Sequence, residues 1–306
     1  MNDSRTIVVV GSLNADLTVR TARLPQGGET VSGSPLSVQP GGKSSNQAVA
    51  AALLGSPVHL VGAVGADAHG SMLIDAAKRA GVDVSNVATP AGAVTGTAVI
   101  MVDDHAENLI VISAGANGEL APAHVPAGLL REASVVSLAL EVPLSTVTYA
   151  AVIAAAAGAE VVLNLSPYQP VPHELLEATS LIVLNEHELA QLTGVGVVTG
   201  DWERTRALLA QESVTRAVVT LGAAGCVVID GAQATRLPAP KVAAIDTTGS
   251  GDAFTGALAA GLASGLDLVS AATLGVQAGA YAATGHGAQA SYATEECLSA
   301  WAAERR

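Results

Sequence analysis

Asp246-Thr247-Thr248-Gly249-Ser250-Gly251-Asp252-Ala253-Phe254-Thr255-Gly256 predicts a tight glycine turn that leads directly into a helix. Gly249 and Gly251 tolerate positive φ values and let a ligand approach the backbone closely. Apolar and small residues then recur at helical spacing, which predicts one buried helix face: Phe254, Ala257, Leu258, Gly261 and Leu262. Because the first-turn N–H groups of a helix lack intrahelical acceptors, this turn is a candidate anion site.

Asp252 places a carboxylate in the middle of that candidate anion site. One interpretation is a general base that meets a phosphate donor. The other is an ordinary acidic residue that stabilises the positive end of the helix dipole. The turn by itself leaves both interpretations open.

The chain has 306 residues, a formal charge of −13 and two cysteines. Lys and Arg form no basic stripe, so we expect no nucleic-acid partner. Cys226 and Cys297 lie far apart and outside any CxxC pattern, which favours a reducing compartment over a disulfide or zinc site. Residues 1–5 lack a signal-peptide layout, and the apolar run 150–159 is shorter than the about 20 residues that span a bilayer. We therefore expect a soluble cytoplasmic protein with no membrane partner.

Most of the chain alternates apolar strands with helices, starting with the β-branched run Thr6–Val10. This alternation predicts an α/β fold in which a mostly parallel sheet carries helices on both faces. No linker or internal repeat interrupts it, so we expect one domain over residues 1–306. Strands are predicted at 58–64, 134–138, 160–165, 181–184 and 216–221, and helices at 70–80, 144–157, 186–192 and 201–211.

Two segments, 17–40 and 96–112, break this alternation. Short alternating stretches between Gly and Pro residues predict antiparallel ribbons outside the main sheet. The candidate strands are 18–20, 29–32, 36–38, 97–102 and 108–112. Together they would form a small accessory sheet that acts as a lid or a dimer surface.

Polar side chains follow several predicted strands, at the sheet edge where ligands bind in open α/β folds. Asn14 and Asp16 follow the first strand, Glu141 follows another, and Asn185 follows a third. Each also has an ordinary interpretation as a turn residue. Asn185 with Glu188 three residues later fits a helix capping box.

Gly41-Gly42-Lys43-Ser44-Ser45-Asn46-Gln47-Ala48 contains Gly-Lys-Ser but is not a P-loop, because Ser37 stands where GxxxxGK(S/T) requires Gly. Asn46 lies on the apolar side of the helix that follows and therefore needs a backbone or ligand partner. Residues 11–14 lack the GxGxxG fingerprint, which argues against a nicotinamide-dependent dehydrogenase. The turn 220–225 could cradle a nucleotide phosphate or serve only as a hairpin.

Taken together, these pieces resemble the ribokinase/PfkB family of carbohydrate kinases. The two specific matches are the signature 246–254 and the glycine signature 41–48, and the resemblance extends from Val8 to Ser291. It implies a ribokinase-like three-layer α/β sandwich with a β-sheet lid. It further implies ATP-dependent phosphorylation of a sugar, with the 5-hydroxyl of D-ribose as the favoured acceptor, Mg²⁺ and K⁺ as cofactors, and a homodimer formed through the lid. Another sugar or a nucleoside as acceptor, and a catalytically silent sugar-binding relative, remain alternatives.

The resemblance also implies roles for individual residues. Asp252 would be the general base, and backbone N–H groups of Gly249, Ser250, Gly251 and Asp252 would form the anion hole. Sugar contacts would come from Asn14, Asp16, Gly42, Lys43, Asn46 and Glu141. ATP contacts would come from Asn185, Thr220, Leu221, Gly222, Ala223, Ala224, Gly225, Gly251 and Asp252, with Glu188 associated with Mg²⁺. A monovalent-cation site would involve Asp246, Thr248, Ala282, Gly285, Gly287 and Ser291.

Two departures from the family pattern stand out. Ser44-Ser45 replaces the Gly-Ala pair that commonly follows the lysine, next to the expected sugar pocket. Val276 and Gln277 stand where relatives often place Asn or His near adenine. The acceptor and the adenine contacts are therefore the least defined parts of the expected site.

Overall fold

The strand Ile7–Val10 (β1) lies inside the main sheet, between two parallel neighbours. A computed structural model describes residues 5–105, 107–195 and 200–305 of the chain. Along β1, Val8 and Val10 belong to one hydrophobic core, and Ile7 and Val9 belong to another. A continuous β-branched run therefore forms a strand that is buried on both faces, as a sheet covered by two helix layers requires.

The remaining elements follow in chain order. They are Asn14–Arg20 (β2), Ser37–Gly41 (β3), Lys43–Leu53 (α1), Val58–Ala63 (β4), Ala68–Arg79 (α2), Asp83–Ala88 (β5), Gly96–Val102 (β6), Asn108–Ser113 (β7), Ala127–Glu132 (α3), Val135–Ala139 (β8), Leu144–Ala156 (α4), Glu160–Asn164 (β9), His173–Glu177 (α5), Leu181–Asn185 (β10), Glu186–Thr193 (α6), Trp202–Gln211 (α7), Arg216–Thr220 (β11), Cys226–Asp230 (β12), Gln233–Leu237 (β13), Ser250–Ala263 (α8), Leu268–Ala282 (α9) and Glu295–Ala303 (α10).

The main sheet has nine strands in the order β13-β12-β11-β10-β9-β8-β1-β4-β5. The strands from β11 to β5 pair in parallel, and β12 and β13 extend the sheet as antiparallel strands. The chain leaves β1 in one direction through β4 and β5 and returns on its other side at β8. This reversal creates a topological switch point at the carboxyl ends of β1 and β8, where open α/β sheets bind ligands.

Helices cover both faces of this sheet. Side chains of α3, α4, α5, α6 and α7 fill one core, and side chains of α1, α2, α8 and α9 fill the other. The predicted α/β class and mostly parallel sheet are confirmed, with element ends shifted by one or two residues. The edge strands β5 and β13 escape the sequence patterns because both are partly exposed and lack a continuous apolar run.

A second sheet has four strands in the order β3-β2-β6-β7, and we call it the small sheet. The pairs β2–β3 and β6–β7 are antiparallel, as predicted for each ribbon, whereas β2 and β6 run parallel to each other. The strand predicted at 29–32 is wrong: these residues form no strand and follow a turn at Gly27 and Gly28.

The prediction of no signal peptide rests on residues 1–5, of which 1–4 lie outside the described ranges. Within those ranges, no helix has the length and apolar character needed to cross a bilayer. Cys226 is buried and Cys297 is exposed, and both are free thiols.

Candidate active site

Gly249 closes the turn before α8 in a left-handed conformation, with φ 73°. A side chain would not fit there, because a Cβ atom would lie 2.9 Å from Ala288 Cα. The Tyr292 hydroxyl donates a hydrogen bond of 3.0 Å to the carbonyl oxygen of Gly249 and so fixes the turn. The glycine predicted for close backbone approach is therefore required by both geometry and packing.

The turn leaves backbone donors free for a ligand. The N–H of Ser250 donates to Thr247 O within the turn, at 3.1 Å. Among the described residues, the N–H groups of Gly249, Gly251 and Asp252 have no acceptor. The predicted anion hole is therefore available at three of its four positions, while Ser250 is already engaged.

Asp252 lies in the first turn of α8 and is only 7% exposed. Its carboxylate accepts hydrogen bonds from Asn46 Nδ2 at 2.9 Å and from Gln47 Nε2 at 3.4 Å. Burial raises the pKa of Asp252, and Lys43 and the two amides oppose that shift. A carboxylate with a raised pKa beside free N–H donors fits a general base better than a residue that only serves the helix dipole.

Helix α1 supplies Lys43, Asn46 and Gln47 to this site. Its first residue follows Gly42, which has φ 89° and whose Cβ atom would lie 2.7 Å from Asn14 N. The absence of a side chain at Gly42 thus lets the start of α1 approach Asn14, the first residue of β2. The inward-facing Asn46 finds a side-chain carboxylate as its partner.

The charges of four carboxyl groups act on the partly buried Lys43 side chain. Burial lowers the pKa of Lys43, but Asp252, Glu141, Glu188 and Asp16 outweigh it and raise the pKa above its usual value. The lysine is therefore a fixed positive charge at the centre of an acidic site.

Glu141 follows the end of β8, as predicted, whereas Asp16 lies within β2 of the small sheet rather than at the end of β1. Glu141 accepts hydrogen bonds from the backbone N–H of Lys43, at 3.0 Å, and from the hydroxyl of Ser12. Burial raises the pKa of Asp16 to about 7, helped by the charges of Glu141 and Asp252 and opposed by Lys43. Asp16 consequently exchanges its proton near neutral pH.

Asn117, which sequence reasoning missed, fixes the orientation of the Asn14 side chain. Its Oδ1 accepts from Leu13 N at 3.0 Å, and its Nδ2 donates to Leu13 O and to Asn14 Oδ1, at 3.0 and 2.8 Å. The Asn14 amide therefore turns its Nδ2 group away from Asn117. Asn117 lies in a short 3₁₀ turn after β7, and no local pattern marks it as part of the site.

A cavity of about 170 Å³ opens on the other side of Asp252. Its polar lining includes Lys43, Asn185, Glu188 and Thr220. The predicted capping box is present, because Asn185 Oδ1 accepts the N–H groups of His187 and Glu188 while Glu188 accepts the N–H of Asn185 at 2.8 Å. The same two residues thus cap α6 and face the cavity. A larger open groove, about 610 Å³ along α4, lacks such a convergence of charged groups.

The predicted nucleotide turn continues from Thr220 away from this cavity. Gly222–Ala224 form a 3₁₀ turn, and the N–H of Leu221 donates to Gly225 O at 2.8 Å. Residues 222–224 are exposed. The turn therefore borders the cavity only through Thr220, and nucleotide contacts at Leu221, Gly222, Ala223, Ala224 and Gly225 stay predictions.

The predicted cation residues meet at the junction between the turn before α8 and the loop after α9. Asp246 accepts from the N–H and hydroxyl of Thr248, at 2.9 and 2.6 Å, and from the N–H of Gly287 at 3.0 Å. Burial raises the pKa of Asp246, but these hydrogen bonds outweigh it and hold the pKa below its usual value. Gly285 packs against Ser291, and its N–H donates to Ala282 O at 3.1 Å. Among the described residues, no group of three or more His, Cys, Asp or Glu side chains could hold a metal ion.

Ser44 and Ser45 are both buried. The Ser45 hydroxyl accepts a hydrogen bond from Gln289. The Ser44 hydroxyl has no hydrogen-bond partner within the described chain, and it occupies the space that a side chain at Gly11 would fill.

We expect Ser44→Ala to raise the free energy of unfolding by about 1 kcal/mol, because a buried hydroxyl without a partner costs roughly 1–3 kcal/mol. Urea unfolding of the variant and the wild type measures the difference. Ser45→Ala is the matched control, since it removes a hydroxyl that is hydrogen-bonded, and it should lower stability. A loss of stability in Ser44→Ala would contradict the prediction.

Comparison with known proteins identifies the family of the chain. The pfkB family of carbohydrate kinases matches residues 4–295. The ribokinase of Schizosaccharomyces pombe is 38% identical over 275 residues, which cover 86% of each chain. The deoxyribokinase of Salmonella typhi is 34% identical over 294 residues, which cover 95% of this chain and 96% of that protein. The structure of Arabidopsis thaliana ribokinase complexed with ribose and ATP has a TM-score of 0.90 and 32% identity, and the match covers 97% of this chain and 98% of that chain. The expected ribokinase-like fold is thereby confirmed, and the chain belongs to the pfkB family of carbohydrate kinases.

Proposed function

We propose that this protein transfers the γ-phosphoryl group of ATP to the 5-hydroxyl of D-ribose, giving ribose 5-phosphate and ADP. The observation that carries the proposal is the buried Asp252 carboxylate, held by Asn46 and flanked by free N–H groups at the start of α8. Relatives with the name ribokinase, and a related structure with ribose and ATP, support the choice of substrates.

In this reaction Asp252 removes the proton from the sugar hydroxyl as its oxygen attacks the γ-phosphorus. The bond between the γ-phosphorus and the bridging oxygen breaks, and ADP leaves with the electron pair. Such transfer depends mainly on positioning and on stabilisation of charge. The N–H groups of Gly249, Gly251 and Asp252 would stabilise the transferred group, and Lys43 would offset charge between the two substrates.

The sugar would lie on the side of Asp252 that carries Asn14, Asp16 and Glu141. Asn14 offers the Nδ2 donor that Asn117 leaves free, and Asp16 offers an acceptor when ionised. A ring of donors and acceptors of this kind suits a compact polyhydroxy compound. The nucleotide would approach from the cavity lined by Asn185, Glu188 and Thr220.

We propose that Mg²⁺ joins the nucleotide phosphates to this cavity near Glu188. The fit rests on its buried carboxylate, which accepts a hydrogen bond only from Asn185 N–H among the described residues. A bound Mg²⁺ would neutralise charge on the phosphates. K⁺ would bind at the junction of Asp246, Thr248, Ala282, Gly285, Gly287 and Ser291, which offers one carboxylate and several backbone carbonyl groups.

A second acceptor, 2-deoxy-D-ribose, is favoured by the 34% identity with a deoxyribokinase. ADP release from ATP and Mg²⁺ would be measured with D-ribose, 2-deoxy-D-ribose, hexoses and nucleosides, in K⁺ and in Na⁺. Strong D-ribose turnover that K⁺ increases supports the proposal. Preference for another acceptor would keep the mechanism and reassign the substrate to the pocket near Ser44 and Ser45. Sugar binding without turnover would instead support a silent relative.

We further propose a homodimer that forms through the small sheet. Strand β7 lies at an edge of that sheet and all six of its residues are exposed. Leu109, Ile110, Val111 and Ile112 are 45, 52, 66 and 51% exposed. An exposed apolar edge strand is a site of association between chains.

We expect Val111→Glu to convert the dimer into a monomer, because the new charge would be buried in the interface without a partner. Sedimentation velocity measures the oligomeric state. Leu266→Glu, which changes an exposed leucine between α8 and α9, is the matched control and should stay dimeric. A wild-type monomer, or a Val111→Glu dimer of unchanged affinity, would contradict the proposal.

We also propose a cytoplasmic location. Both cysteines are free thiols, and a reducing compartment keeps thiols in that state.

A further inference from the structure

Gln289 connects the loop after α9 to the residues that hold Asp252. This half-buried side chain lies between Gly287 and Ser291. Its Nε2 donates hydrogen bonds to Ser45 Oγ and to Asn46 Oδ1, both at 3.1 Å. Neither the proposed reaction nor the family signatures use this residue.

The contact with Asn46 determines which end of that amide faces Asp252. Because Asn46 Oδ1 accepts from Gln289, Nδ2 remains to donate to Asp252 Oδ2 at 2.9 Å. A flipped Asn46 would set its oxygen against the carboxylate and leave the Gln289 donor facing another donor. Gln289 therefore makes one orientation of Asn46 the favoured one.

A similar arrangement holds the second amide, but less tightly. The Ser137 hydroxyl donates to Gln47 Oε1 at 3.0 Å, which turns Gln47 Nε2 towards Asp252 at 3.4 Å. The Asn46 contact is the shorter of the two. Asn46, which Gln289 orients, therefore fixes the position of the Asp252 carboxylate more closely than Gln47 does.

Gln289 is itself well placed for this role. On one side, Asp246 accepts the N–H of Gly287 at 3.0 Å. On the other, the buried Tyr292 hydroxyl bonds to Gly249 O. The loop that carries Gln289 is therefore tied at both ends to the turn before α8. The Ser45 hydroxyl gives Gln289 its second acceptor.

We propose that Gln289 is a positioning residue for the general base. It orients Asn46, which places the Asp252 carboxylate for proton removal, and Ser45 fixes the position of the Gln289 side chain. The inference rests on the proposed kinase function. It assigns to this chain a hydrogen-bonded series Ser45–Gln289–Asn46–Asp252 whose effect is on kcat rather than on nucleotide binding.

The test measures kcat, both KM values and thermal unfolding for Gln289→Ala and Gln289→Glu. We expect kcat to fall on the order of 10- to 100-fold in both variants, because misplacing a reacting group by about 1 Å costs up to about 100-fold. KM for ATP should change less than about twofold. The glutamate variant keeps the size of glutamine but puts an oxygen against Asn46 Oδ1, so it separates orientation from packing. Gln233→Glu, at an exposed position in β13, is the matched control.

A double-mutant cycle with Ser45→Ala adds a second measure. Ser45→Ala alone should lower kcat by a smaller factor, and in the Gln289→Ala background it should add no further loss. Wild-type-like kcat in Gln289→Glu, or a change in thermal unfolding alone, would overturn the positioning role. Absence of turnover in the wild type would overturn the proposed function and this inference together, so the two failures are distinguishable.

Discussion

Asp252→Asn is expected to lower kcat by about 10²–10⁴-fold while the chain keeps its fold. Asparagine has nearly the size of aspartate but cannot accept a proton at neutral pH. The side chain is buried, and burial raises the pKa of Asp252, so loss of its charge should not lower stability. Steady-state turnover, calorimetric sugar binding and thermal unfolding measure these three properties.

Asp75→Asn, at an exposed position on α2, is the matched control and should leave turnover unchanged. The expected pattern for Asp252→Asn is retained sugar binding, retained unfolding temperature and lost turnover. Wild-type-like turnover would remove Asp252 from the role of general base. Loss of binding and fold together would show that the carboxylate holds the structure of the site.

Asp16→Asn is expected to be more stable than the wild type above pH 7, by on the order of 4 kcal/mol at most. Burial, with help from the Glu141 and Asp252 charges, raises the pKa of Asp16 from 3.8 to about 7. Between these two values the folded chain keeps a proton that the unfolded chain has lost. The free energy of unfolding of the wild type therefore falls as pH rises from about 4 to about 7, and asparagine at position 16 removes this pH dependence.

Urea unfolding of Asp16→Asn and the wild type at several pH values from 4 to 8 tests this linkage. The difference between the two should grow across the interval and level off above pH 7. Asp75→Asn again serves as the control, since Asp75 is exposed. A difference that is independent of pH would contradict the raised pKa of Asp16. In the same variant we expect KM for the sugar to rise, because an acceptor in the sugar pocket is lost.

Local patterns explain why the frame of the fold was predictable. β1 is a β-branched run followed by a glycine, and the start of α8 carries two glycines and an acid, followed by apolar residues at helical spacing. These signals depend only on residues that are neighbours in the chain, so they can be recognised from the sequence. The strand wrongly predicted at 29–32 shows the limit of such patterns. Its residues have strand propensity, but they pair with no strand in the structure, and propensity alone does not determine pairing.

Contacts between distant residues account for what the sequence did not reveal. Asn117 bonds to Leu13 and Asn14 across more than one hundred positions, and Gln289 bonds to Ser45 across 244 positions. An isolated Asn or Gln in a turn looks the same whether it faces water or an active site. Asn46 was different, since its place on an apolar helix face already showed that it needs a partner.

Two hydrogen bonds of the site also have a consequence for biosynthesis, because they join α1 to distant parts of the chain. Asn46 donates to Asp252, and Gln289 donates to Ser45. Residues 43–47 leave the ribosome long before residue 289, and at about 5–20 residues per second the interval is roughly 12–50 s. Until α8 is made, Asn46 lacks its Asp252 partner, and until residue 289 is made, α1 lacks its contact with Gln289. The nascent chain therefore has no complete site during this interval. Catalytic competence therefore appears only near the end of translation. A chain that ends before residue 289 would lack the hydrogen bonds from Gln289 to Ser45 and Asn46.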